Sequence, residues 1–123
     1  MMDHIRLLSR CAWEEYGVRP VTHPHAGGYI EFEDEIDQLL NDVSYDIAGL
    51  CLDTGHLYYS KMDPIKWLKK CRDRLDYIHF KDIDPAIYYQ TMKTKIRFFM
   101  PVPIKLCARS ARASSTTKPF FDY

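Results

Sequence analysis

The sequence predicts an α/β fold in which about three parallel strands alternate with four helices. Residues 47–52 form a continuous apolar run, as expected of a strand covered on both faces of a parallel sheet. Residues 75–80 form a second short strand pattern, and both segments end in a polar cluster. Segments with apolar residues at helical spacing lie before, between and after the strands. The connections are short enough for right-handed crossovers. The predicted order of elements is α-β-α-β-α-β-α. The sheet is expected to be incomplete, because three open parallel strands leave two unpaired edges.

Four helices are predicted from apolar spacing and from signals at their ends. Residues 3–16 carry apolar residues at helical spacing. Residues 33–43 open with three acidic residues, which the exposed amides of a helix start attract, and their apolar residues share one face. Asp63-Pro64 and Asp84-Pro85 each combine a capping aspartate with a proline suited to the first turn. They start the third helix and a fourth that runs to about Arg97.

The first strand and the C-terminal segment have weaker patterns. Residues 18–25 form a short extended run that prolines interrupt and that ends at Gly27-Gly28. Residues 100–123 show neither helical nor strand periodicity, and they contain three prolines and scattered basic residues. We therefore expect one α/β domain at residues 1–99, followed by an irregular basic tail at residues 100–123.

Composition and charge exclude several classes of function. The chain has 123 residues and a formal net charge of +0, which gives no electrostatic case for binding nucleic acid or an anionic membrane. No apolar stretch approaches the roughly 20 residues that span a bilayer. Neither a GxGxxG dinucleotide motif nor a GxSxG hydrolase motif occurs. The four cysteines form no CxxC pair and the start lacks a secretory signal, so we expect reduced thiols and a cytoplasmic protein.

Potential metal ligands and proton carriers follow each predicted strand. Because the carboxyl ends of parallel strands meet at one edge of a sheet, we expect these side chains to share a pocket. Imidazole with carboxylate suits Zn, Mn, Co or Fe, whereas an oxygen-rich set would suit Mg or Mn. Spacing alone leaves open whether the residues bind a metal or only cap and solvate the strand ends. In chain order they are His23 and His25, Asp53 and His56, then His79 and Lys81.

Three segments together carry a family resemblance. Residues 23–28 (HPHAGG), 49–59 (GLCLDTGHLYY) and 77–82 (YIHFKD) resemble signatures of the inosose dehydratases. These enzymes belong with sugar phosphate isomerases and epimerases that share a xylose isomerase-like TIM barrel. The resemblance covers residues 3–99 and keeps the order of all three segments. It implies part of a (β/α) TIM barrel, since a complete barrel needs roughly 200 residues or more.

The resemblance also implies a set of metal ligands. Asp53 and His79 match the aspartate and histidine that bind the divalent metal in such barrels. His23 lies where many relatives place a ligating glutamate, and Glu31 is a nearby carboxylate that ranks below it. Mn or Co is the metal that the family implies, with Zn and Mg as alternatives.

For catalysis, the resemblance implies a lyase that removes water from a keto-inositol through an enolate. His56 matches a residue that contacts the substrate, and His25 and Lys81 would face the same pocket. These three are the candidates for acid and base catalysis, and their individual roles stay open. An isomerase or epimerase with the same metal site, and a non-catalytic remnant, are the alternatives. The expected partners are a small polyol or keto-sugar and a second copy of the chain, through exposed sheet edges.

The chain departs from the family at both ends. Relatives begin about half a barrel before the counterpart of Asp3, and they continue past Phe99 into a strand that supplies a further ligating glutamate. Met100 onward does not match that continuation. We therefore expect a truncated or frameshifted product with a non-native tail, inactive as a fragment because metal affinity depends on ligand number and preset geometry.

Overall fold

The computed structural model describes residues 1–94. The predicted tail at residues 100–123 and the predicted helix end near Arg97 lie outside this part of the chain. None of the helices within residues 1–94 is long and apolar enough to cross a membrane. In chain order the elements are α1 (Met2–Tyr16), β1 (Val21–Thr22), α2 (Glu33–Asp42), β2 (Gly49–Asp53), α3 (Thr54–Tyr59), α4 (Pro64–Cys71), a 3₁₀ turn (Arg72–Arg74), β3 (Leu75–His79) and α5 (Pro85–Thr94).

The three strands form one parallel sheet in the order β1-β2-β3. The predicted parallel α/β arrangement is therefore confirmed. All five residues of β2 are buried, as the apolar run suggested. Asp53, the last residue of β2, is paired in register with His79, the last residue of β3. The two residues thus lie side by side at the carboxyl edge of the sheet.

Two elements differ from the predictions. The first strand is only Val21–Thr22 rather than residues 18–25. Pro20 and Pro24 lie on either side of it and have no N–H to donate to a sheet ladder, which explains its length. The six-residue helix α3 was not predicted, because its sequence was interpreted as a polar strand end.

The hydrophobic core lies between one face of the sheet and helices α2 and α4. Leu50 and Leu52 of β2 lie in it, and they alternate with Cys51 and Asp53 along the strand. Because successive side chains of a strand point to opposite faces, Cys51 and Asp53 share the face opposite the core. The helices contribute Ile36 and Leu39 from α2, with Val43 directly after it, and Trp67 and Cys71 from α4.

β1 and β3 are the outer strands of this sheet within residues 1–94. On and after β3, Tyr77, Ile78 and Phe80 are exposed large apolar side chains. An outer strand with exposed apolar side chains can pair with another chain. Self-association through the sheet edges stays a prediction.

Candidate metal and substrate site

Asp53 is at the centre of the site, at the carboxyl end of the middle strand. Asp53 is 1% exposed. Oδ1 accepts hydrogen bonds from the backbone N–H groups of Gly55 at 2.9 Å and His56 at 3.1 Å, which caps the start of α3. Oδ2 lies 2.6 Å from Lys81 Nζ and 3.5 Å from His79 Nδ1. One oxygen is thus used by the helix start, and the other faces the cationic and imidazole groups.

The charge state of Asp53 follows from these contacts. Burial alone would raise the pKa of Asp53, but the Lys81 ammonium and the amide of His56 outweigh it and hold the pKa below its ordinary value. The carboxylate is therefore ionised at neutral pH. Oδ2 has no partner of good hydrogen-bond geometry, so the short contact with Lys81 is best described as an ion pair. This oxygen keeps lone pairs with which it can bind a metal.

Four imidazoles surround the carboxylate. The ring centroids of His25 and His56 are 3.6 Å apart. The ring of His23 lies 4.9 Å from that of His79 and 5.4 Å from that of His56. The loop after β1, the start of α3 and the end of β3 thus bring all four predicted histidines into one cluster.

Burial keeps two of these imidazoles neutral. It lowers the pKa of His56 to about 4, and the charges of His25 and Lys81 act in the same direction against the attraction of Asp53. Burial likewise lowers the pKa of His23, again opposed by Asp53. Nε2 of His23 is buried without a hydrogen-bond partner. Neutral imidazoles with available lone pairs are the form that binds metals or accepts protons.

Within residues 1–94, two groups of three side chains have ligand atoms within 4.8 Å of one another: His23, His25 and His56, and His23, Cys51 and His79. Asp53 belongs to neither group, but its Oδ2 lies 3.5 Å from His79 Nδ1 and 3.7 Å from His56 Nε2. Ligand atoms around one tetrahedral ion lie roughly 3.3–3.8 Å apart, given metal–ligand bonds near 2.0–2.3 Å. The unpaired Nε2 of His23 and the ionised Oδ2 of Asp53, whose present partner is the Lys81 ammonium, fit a divalent transition metal together with this donor set.

Lys81 is positioned by two residues whose roles the sequence did not reveal. The Thr54 hydroxyl donates to the carbonyl oxygen of Lys81 at 2.8 Å and accepts from its N–H at 2.9 Å. A Cβ on Gly55 would come within 2.8 Å of Lys81 Cβ, so glycine allows the close approach. Lys81 Nζ then lies 3.4 Å from His56 Nε2. Thr54 and Gly55 both belong to the LDTGH segment. The match of this segment to the family was the only signal in the sequence for their roles.

Glu31 is in neither group of candidate ligands found within residues 1–94. Its Oε2 accepts a hydrogen bond from Gly27 N–H at 2.9 Å, and its Oε1 accepts one from the Ser60 hydroxyl at 2.8 Å. Both carboxylate oxygens therefore have protein donors. Glu31 ties the loop after β1 to the end of α3, which agrees with its lower rank as a ligand.

Comparison with known proteins supports the relationship suggested by the sequence. The model of the xylose isomerase-like TIM barrel family matches residues 1–94. A protein named inosose dehydratase from Clostridium beijerinckii is 36% identical over 102 residues, which are 83% of this chain and 34% of the relative. Another with that name, from Geobacillus kaustophilus, is 39% identical over 70 residues, 57% of this chain and 23% of the relative.

The chain thus spans about a third or less of the length of these relatives. The resemblance to inosose dehydratases and the predicted barrel class are confirmed by these matches. With three parallel strands and a family match over all of its described residues, the chain belongs to the xylose isomerase-like TIM barrel family.

Proposed function

We propose that this chain carries the metal-binding and proton-transfer residues of a lyase that removes water from a keto-inositol. The observation that carries the proposal is the arrangement around Asp53 Oδ2: it is buried and ionised, it pairs with Lys81 Nζ at 2.6 Å, and it lies 3.5 Å from His79 Nδ1. The relatives named inosose dehydratase support the choice of substrate class.

His23, Asp53 and His79 are the proposed metal ligands. Asp53 would contribute Oδ2 without losing its cap on α3, because Oδ1 makes those hydrogen bonds. The neighbouring imidazole of His23 would contribute a neutral nitrogen. Mn or Co is the metal we favour, and Zn and Mg are alternatives. When bound, a divalent cation would polarise the substrate carbonyl and stabilise negative charge that develops on it.

His25, His56 and Lys81 are the proposed proton carriers. Loss of water from a keto-inositol requires a base that takes the proton next to the carbonyl and an acid that protonates the departing β-hydroxyl. The low pKa of His56 leaves its imidazole neutral and able to accept the first proton. The ammonium of Lys81, 3.4 Å from His56 Nε2, is placed to supply the second. The protonated β-hydroxyl then leaves as water with the electron pair of its C–O bond. The electron pair of the broken C–H bond forms the C=C bond of an enol, which rearranges to the dione.

An isomerase or epimerase acting on a keto-sugar is the second candidate, and the description of the matched family favours it. It would use the same proton removal but return the proton to carbon. Product analysis with an inosose separates the two, because dehydration yields a dione that lacks the elements of water. An epimerised product of unchanged mass would contradict the lyase proposal.

The metal claim is tested by calorimetric titration of Mn²⁺ and Co²⁺ into the wild-type chain and an Asp53→Ala variant. We expect saturable heat for the wild type and its loss in the variant. Asp63→Ala is the matched control, because Asp63 also caps a helix, accepting from Ile65 and Lys66, but lies on the surface. Equal heats for wild type and Asp53→Ala would contradict the proposal, as would an equal loss of heat in Asp63→Ala.

We propose that the chain by itself binds metal but turns over substrate poorly. The His79 side chain is 52% exposed, and the reactions of a polarised carbonyl are favoured when water is excluded. A non-catalytic remnant is the limiting case of this proposal. We also propose a cytoplasmic location, supported by the free thiols of Cys11, Cys51 and Cys71.

A further inference from the structure

We propose that Cys51 is a metal ligand in this chain, and that with His23 and His79 it forms a site for a thiophilic divalent ion such as Zn²⁺ or Co²⁺. The proposal rests on the proposed function in one respect, since His23 and His79 are also the proposed ligands there. It adds a sulfur ligand that the sequence did not suggest, and it changes which metal the site prefers.

Cys51 lies two residues before Asp53 on β2, and the two side chains lie on the same face of the sheet. The two residues are two positions apart on β2, so both side chains point away from the hydrophobic core. Sγ of Cys51 and the ligand nitrogens of His23 and His79 all lie within 4.8 Å of one another. Ligand atoms around a tetrahedral zinc ion lie roughly 3.3–3.8 Å apart, so side-chain movements of about 1 Å would bring them to bonding distance.

The surroundings of Cys51 differ from those of an ordinary core cysteine. Cys71 belongs to the apolar core cluster with Trp67, whereas Cys51 does not, although it is only 3% exposed. A buried thiol beside imidazoles and a carboxylate has partners suited to a metal rather than to hydrophobic packing.

A second observation points to a ligand at the same place. Nε2 of His23 is buried without a hydrogen-bond partner, which leaves an unsatisfied polar atom in the cluster that contains Cys51. Such an atom is costly unless something binds it. A metal ion would bind this nitrogen. Its binding would also release the proton of the Cys51 thiol to solvent, because the thiolate is the form that binds metals.

The charges of the site are balanced when Asp53 is included. A divalent ion with one thiolate and two neutral imidazoles keeps one positive charge. Asp53 Oδ2, 3.5 Å from His79 Nδ1, is placed to supply the fourth ligand and to neutralise the ion, in exchange for its ion pair with Lys81. A set of one sulfur, two nitrogens and one oxygen favours Zn²⁺ and Co²⁺ over Mn²⁺ and Mg²⁺, because thiolate is a soft ligand.

Cobalt absorption spectroscopy of the full chain under reducing conditions tests this inference. Co²⁺ bound by a thiolate shows a charge-transfer band in the near ultraviolet, in addition to visible d–d bands. We expect both for the wild type and for Cys71→Ser, the matched buried control. For Cys51→Ser we expect loss of the charge-transfer band and at least a tenfold weaker competition by Zn²⁺, with d–d bands retained.

The outcomes separate this inference from the proposed function. Visible bands without a charge-transfer band in the wild type would overturn the role of Cys51 and leave the metal site in place. Absence of any cobalt spectrum would overturn both. A charge-transfer band that survives in Cys51→Ser would assign it to another cysteine and overturn the inference.

Alkylation of the wild-type chain provides a measurement that does not depend on a variant folding. Peptide mass spectrometry reports the modification rates of Cys51 and Cys71 separately. We expect saturating Zn²⁺ to slow alkylation at Cys51 at least tenfold more than at Cys71. Equal slowing at both thiols would reflect general stabilisation and would count against the proposed ligand.

Discussion

Replacing Lys81 with methionine removes the positive charge that lies 2.6 Å from Asp53 Oδ2 and preserves most of the length of the side chain. The Asp53 side chain is 0% exposed, whereas that of Lys81 is 37% exposed. The variant therefore leaves a buried carboxylate with its two cap hydrogen bonds but without its neutralising cation. We expect the folded chain to become less stable in the absence of divalent metal.

The expected loss lies between two limits. Removing one partner of a fully buried ion pair costs roughly 3–5 kcal/mol, and an exposed pair contributes about 0–1 kcal/mol. Because only Asp53 is fully buried, we expect the free energy of unfolding to fall by about 2 kcal/mol. A divalent cation at Asp53 would replace the lost charge, and at a hundred times its dissociation constant it would return about 2.7 kcal/mol.

Urea denaturation followed by circular dichroism measures this change, with and without saturating Mn²⁺. Lys70→Met is the matched control, because Lys70 pairs with Asp37 while both side chains are 43–45% exposed. We expect the control to cost less than about 1 kcal/mol and to be insensitive to metal. The reasoning is refuted if Lys81→Met costs no more than Lys70→Met, or if Mn²⁺ stabilises the wild type more than Lys81→Met.

Two further substitutions test how the sheet and core support the site. Gly49→Ala would place a Cβ in collision with Asp76 Oδ2, which Arg19 Nε holds at 3.0 Å, so we expect a loss of about 1–3 kcal/mol in urea denaturation. Unchanged stability would show that the Asp76 side chain moves freely. Trp67→Ala removes a side chain that is 1% exposed, and we expect a loss of about 3–5 kcal/mol, measured by circular dichroism during denaturation. A loss below about 1 kcal/mol would mean that Trp67 is not a core residue.

Local chemistry made several elements predictable from the sequence. The Asp63-Pro64 pair starts α4 as expected, and Asp63 Oδ1 accepts from the N–H groups of Ile65 and Lys66. Ile36 and Leu39 lie in the core, as the apolar spacing of α2 indicated. Caps and helical spacing act within a few residues, so the chain encodes them without reference to distant contacts.

Elements whose form depends on distant neighbours were less predictable. Apolar spacing indicated the helix α1, but Leu8 and Tyr16 on it are 69% and 72% exposed, while Ser9 is buried. Which face of a helix is covered depends on the elements packed against it. Helix α3 was missed because it begins directly at the strand end, where the Asp53 carboxylate accepts two backbone N–H groups.

The sequence by itself determined the parallel α/β class and the residues that follow each strand, because periodicity and chain order carry both. Only the tertiary structure decided how those residues divide their contacts. In it, Glu31 accepts hydrogen bonds from Gly27 and Ser60, and Lys81 forms an ion pair with Asp53. It also brought Cys51 within reach of His23 and His79. Strand register and side-chain packing set these distances of a few ångströms, and both arise from contacts between residues far apart in the chain.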